Sequence, residues 1–142
     1  MSYSDGRYDA RALVMVQQGC SFGTTTASAT DGANTTPTCQ LPPFVRRSAI
    51  TAIRMIPTVI PDTGSVAVKA HFLNGTDTFG VVTLTTASVG KVLEGTIDTS
   101  YNTFTGTDSA GIPTVKVTGT ATASGDAQGS YDIYFEVQEL FV

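Results

Sequence analysis

One histidine, two cysteines and twelve acidic residues are the side chains with the readiest chemistry in this chain. A histidine-based metal site normally needs more than one imidazole, so His71 alone argues against that class. A Ser-His-Asp arrangement would draw on His71, yet no G-x-S-x-G elbow is present to present the nucleophile. His71 alternates with Ala70 and Phe72 beside Lys69, which reads as a surface or interface histidine on the polar side of a strand. The carboxylates Glu94, Asp98, Asp108, Asp126, Asp132, Glu136 and Glu139 are scattered. Glycoside hydrolysis needs two carboxylates facing each other about 5–9 Å apart, and no spacing here demands such a pair. Asp5, Asp9, Asp31, Asp62, Asp77 and Asp108 lie near Gly, Asn or Thr without forming a calcium loop. Gly90-Lys91 lacks the glycine spacing of a phosphate loop. There is no tryptophan on which a sugar would stack. These residues point to binding or assembly, with no enzyme activity, no catalytic residue, no metal and no cofactor.

Cys20 and Cys39 are too few for a disulfide framework. In a reducing cytoplasm two free thiols are the default, and a bridge closing the polar stretch between them is the alternative. The net charge is −4 and the pI about 4.6, which opposes a phosphate-binding surface. The local basic pair is Arg46-Arg47. No apolar run approaches the roughly 18 residues of a membrane span, and the polar start Met1–Arg7 has no leader pattern, so synthesis in a cytoplasm is expected.

A length of 142 residues suits one domain. Apolar residues alternate with polar ones in short runs, and no helical period persists. Residues 8–17 read as a strand with apolar residues on both faces, expected to be covered on both sides. Residues 18–41 form a long Thr-, Ser- and Gly-rich loop in which Phe22 is the one large aromatic residue. A long strand is expected from Phe44 to Ile56, with Pro57 breaking it. Val66, Val68, Ala70 and Phe72 mark a half-buried strand, and Asn74-Gly75 marks a tight turn. Further strands are expected over 79–85, 91–97, 101–104 and 114–123. A final run near the C-terminus is the cleanest: Tyr131, Ile133, Phe135 and Val137 point inward, and Asp132, Tyr134, Glu136 and Gln138 point outward. About eight strands joined by short turns predict an antiparallel β-sandwich, and the long connections favour a jelly-roll-like order. The whole chain, 1–142, is one such domain, with an N-terminal arm over 1–8.

The stretch VVTLTTASVGKVLEGTI (81–97) and the end KVTGTATASGDAQGSYDIYFEVQEL (116–140) carry a resemblance. Their Thr-rich strand, Val-Gly-Lys-Val step, Gly-Thr-Ala turn and alternating last strand resemble the decoration, or cement, proteins of tailed-phage capsids. The resemblance covers roughly residues 44–142 and includes no catalytic or metal motif. It implies a structural virion protein, made in the host cytoplasm and carried on the capsid exterior as a homotrimer. Its partners would be the major capsid protein, whose neighbouring subunits it would clamp, and copies of itself, with no nucleic acid and no membrane. Candidate contacts are Tyr3, Arg7 and Tyr8 in the arm, Phe22 in the loop, the pair Arg46 and Arg47, and Phe141 near the apolar end; Leu140 is expected to pack on its own sheet. A tail or fibre β-domain and a carbohydrate-binding sandwich are the alternatives.

Overall fold

The structure is a computed structural model that describes residues 11–22, 41, 47–61, 65–84, 88–105, 112–121 and 128–140. Nine strands occur among them: β1 (Arg11–Ser21), β2 (Ser48–Val59), β3 (Ser65–Asn74), β4 (Asp77–Thr83), β5 (Leu93–Glu94), β6 (Thr96–Ile97), β7 (Thr103–Phe104), β8 (Thr114–Ala121) and β9 (Ser130–Glu139). They form two antiparallel sheets. The first has the order β1-β9-β2-β5, with β7 also pairing β2; the second has the order β6-β4-β3-β8. The expected antiparallel β-sandwich is therefore present, and these strand orders, rather than a jelly-roll label, define its topology.

The core follows from alternation. Ile53, Met55, Ile133 and Phe135 from the first sheet are buried against Val68, Phe72, Phe79 and Val115 from the second. Aromatic rings join the layers. Phe135 lies 5.6 Å from Phe72 and 6.1 Å from Phe79, and Phe79 lies 5.2 Å from Phe104, each pair close to edge-on. Edge-to-face geometry sets the positive ring edge against the negative ring face, which adds to the burial of so much apolar surface.

Three sequence expectations change. The run 91–97 is not one strand: β5 pairs β2 in the first sheet, and β6 pairs β4 in the second. Gly95 makes the crossing. Its N–H donates to the Ile53 carbonyl at 3.0 Å, and a Cβ there would lie 2.8 Å from Val82 Cγ2 and 3.0 Å from the Val81 carbonyl. Only a residue without a side chain passes this closely between two packed layers. Pro57 does not end β2, which continues to Val59. Pro57 is buried opposite Tyr131, beyond the short stretch that pairs with β5, and next to a register shift where a missing N–H is tolerated.

The third change concerns β1. It lies at the edge of its sheet, paired with β9, and is not covered on both sides. Val14 shares the inward face with Phe135, but the second sheet does not reach over it, and it remains exposed. The far half of β1 is held differently. Register shifts follow Met15 and Gln17, Gly19 takes φ of 61°, and its N–H donates to Asp132 Oδ1 at 2.8 Å. That carboxylate fixes the bulge and lets Cys20 turn into the core.

Candidate interaction surface

Among the described residues, Glu136, Glu94, Asp98 and Tyr131 make contacts within the fold, and His71 lies on a sheet face. On the outer face of the second sheet, His71 pairs across the ladders with Lys116 on β8 and Val81 on β4. Partial burial, then the charges of Lys116 and Lys69, hold its imidazole below the ordinary value of 6.5. Such a ring is neutral near pH 7, on a cationic patch of sheet. Glu136 Oε1 accepts from Thr51 Oγ1 at 2.7 Å across the β2–β9 ladder. Arg54 Nε meets Glu94 Oε1 at 3.4 Å, an exposed pair of small energetic weight. Asp98 Oδ1 accepts from the Ser100 N–H at 2.9 Å and shapes a turn. Tyr131 donates its hydroxyl to the Gln128 carbonyl at 2.9 Å, and burial drives its pKa far upward, so it stays a phenol.

A shallow cleft of about 290 Å³ lies beside β4 and β6, lined by Thr78, Phe79, Gly80, Val81, Thr96, Ile97 and Asp98. It holds one carboxylate and no convergent acid–base pair. Among the described residues no cluster of three or more His, Cys, Asp or Glu is placed to hold a metal, and no helix is long and apolar enough to cross a membrane.

The surface features that stand out are apolar. Leu13, Val14 and Met15 are consecutive on β1 and are 55%, 43% and 46% exposed. Leu13 stands opposite Glu136 and Met15 opposite Tyr134 on the outer face, while Val14 stands opposite Phe135 on the inner face. Both faces of this half-strand therefore show hydrocarbon to solvent. A second group, Val59, Ile60, Val89 and Val92, is exposed around the far end of β2, where the Gly90 N–H donates to the Pro57 carbonyl at 3.0 Å.

Of the expected contact residues, Tyr3, Arg7, Tyr8, Arg46 and Phe141 lie outside the described residues. The residues adjoining their segments come together. Arg11 pairs with Gln138, Ser48 pairs with Glu139, and the Leu140 N–H donates to the Arg47 carbonyl at 2.9 Å. Arg11, Arg47 and Leu140 thus share one end of the first sheet, with Arg47 exposed and Leu140 half-buried. Phe22 is placed elsewhere. It is 1% exposed, its ring 5.6 Å from Tyr131 in the core, so a contact role would require the core to open. Its flank of Thr and Gly hid this, because the disulfide and the bulge that carry the chain inward leave no periodic signature.

Cys20 is disulfide-bonded, and the chain has Cys39 as its only other cysteine. The free-thiol default is corrected accordingly; Cys39 itself lies outside the described residues. Sequence reasoning also missed the apolar run on β1 as a surface. Its signal was there, since Ala12 to Val16 carries no polar residue, but hydrocarbon on both faces equally describes a buried strand.

No family model, no curated protein and no solved structure matches the chain.

Proposed function

We propose that this chain is a structural virion protein that binds the outer surface of a phage capsid as a homotrimer and stabilises the shell by clamping neighbouring major capsid subunits. The observation that carries the reading is the exposed apolar run Leu13–Met15, on the sheet whose one end gathers Arg11, Arg47 and Leu140. Apolar side chains on both faces of an edge strand favour association, because covering them removes hydrocarbon from water. The resemblance of residues 81–97 and 116–140 to capsid decoration proteins supplies the partner. A disulfide at Cys20 suits a protein that works on a particle exterior, where thiols oxidise. A closed threefold oligomer matches the local symmetry of a shell and multiplies weak contacts through effective concentration.

The test is binding to purified shells that lack the protein. Co-sedimentation with the shells, density on the exterior at local threefold positions, and a trimer mass in solution are expected. Protein left in the supernatant, or density confined to the tail, would overturn the reading.

A further inference from the structure

We infer that the free edge of β1 pairs with β1 of a second copy, antiparallel and across a twofold axis at Leu13. Among the described strands β1 hydrogen-bonds to β9 alone, so its other edge presents a row of backbone donors and acceptors. Such an edge recruits a strand unless it is blocked by charge, proline, a bulge or a cover. Residues 12–15 have no charge and no proline, and the first register shift comes only after Met15. Of the described residues, the unbulged segment is Arg11–Met15, and Leu13 is the most exposed apolar residue on it.

What fits that segment is the segment itself. An antiparallel twofold at Leu13 sets Leu13 opposite Leu13 of the other copy, Ala12 opposite Val14, and Arg11 opposite Met15. The Ala12–Val14 and Arg11–Met15 contacts each occur twice and the Leu13 pair sits on the axis, as an isologous interface requires. Ala12 and Val14 meet on one face and Leu13 meets its equivalent on the other, so hydrocarbon covers hydrocarbon on both faces at once. This accounts for apolar residues on both sides of a strand that its own second sheet leaves uncovered. Two first sheets would join into one continuous sheet through the pair.

The inference goes beyond the capsid reading: it assigns the apolar run on β1 to contact between copies, leaves the end of the sheet at Arg47 and Leu140 for the shell, and is read on the protein alone. On a shell, the same pair would link copies on adjacent threefold positions across the local twofold between them. Five residues make a small interface, so pairing is concentration-dependent in solution and gains from trimer multivalency.

The test is sedimentation equilibrium of the full chain from roughly 10 µM to 1 mM. Leu13→Lys is the breaking variant: it sets two lysines face to face on the axis, yet within its own chain it faces Glu136, so the fold is kept. Wild type is expected to reach at least twice the mass of Leu13→Lys. Met15→Glu and Met15→Lys then check the register. Opposite Arg11 of the other copy, Glu preserves the pair and Lys abolishes it. Within one chain the preference runs the other way, since position 15 lies diagonal to Glu136. Equal masses for wild type and Leu13→Lys would overturn self-pairing. If Leu13→Lys then also lost shell binding, the edge would belong to a strand of the shell instead. Identical behaviour of Met15→Glu and Met15→Lys would overturn the Leu13 register. Failure of shell binding with self-association intact would sink the capsid reading and leave this one standing.

Discussion

Val14 and Phe135 face each other across the β1–β9 ladder, yet one is 43% exposed and the other fully buried. The two strands are neighbours with similar apolar content. They differ in what lies above them. Phe135 sits under Phe72 and Phe79 of the second sheet, whereas β1 extends past that sheet's cover. Burial in this fold is set by the overlap of two layers, so an apolar residue contributes to folding only inside the overlap and is available for association outside it.

The sharpest way to break this comparison is to truncate each member of the pair. Phe135→Ala removes a ring from the packed cluster and is expected to cost about 3–5 kcal/mol in urea unfolding. Val14→Ala, measured in dilute solution, should stay within about 0.5 kcal/mol of wild type. Similar losses for both would mean that β1 is covered after all.

Next in size is the contrast between the two halves of β1. Its open half, around Leu13, is held by one ladder; its far half is pinned by the disulfide at Cys20 and by Asp132 at the Gly19 bulge. Cys20→Ser should lower stability by about 3 kcal/mol, as expected for opening a loop of roughly this size. Most of that difference should vanish when wild type and variant are compared under reductant. A difference unchanged by reductant would assign the effect to the packing of Cys20 and not to the cross-link.

The smallest effect extends the comparison to the outer face of the second sheet. Burial and the charges of Lys116 and Lys69 hold the His71 pKa below 6.5 in the folded protein. As pH falls through 6.5, the unfolded chain takes up this proton first. The stabilising contribution is therefore complete above that pH and is lost on acidification toward the folded value. Wild type should lose more stability than His71→Gln between about pH 7.5 and about pH 5 in urea titrations. Equal losses would show that His71 ionises as freely in the fold as outside it.

Where one face is covered, the sequence was easy to read. β9 alternates cleanly because Tyr131, Ile133 and Phe135 all enter the overlap, and β3 does so through Val68, Ala70 and Phe72. The hairpin at Asn74-Gly75 was equally plain, and Gly75 takes φ of 64° between paired Asn74 and Asp77. The split at Gly95 was not legible, since a strand that changes sheets keeps the composition of one that does not. Pro57 misled for a related reason: whether a missing N–H matters depends on which neighbour is paired at that point. The surface on β1 was visible as apolar residues but not as a surface, because exposure depends on the extent of the opposing sheet. Phe22 failed in the opposite direction, an aromatic residue in a polar stretch that the bulge and disulfide draw into the core.

Gly95 belongs to both sheets in consecutive residues, with Glu94 tied to Arg54 of β2 and Thr96 tied to Val81 of β4. Neither layer can peel away without pulling on this single link. Amide protons along β2 and along β4 are therefore expected to exchange with solvent as one cooperative unit, with a common free energy of opening. The β1 edge, outside that unit, exchanges first, so the part of the molecule most ready to meet a partner is also the part whose loosening leaves the sandwich intact.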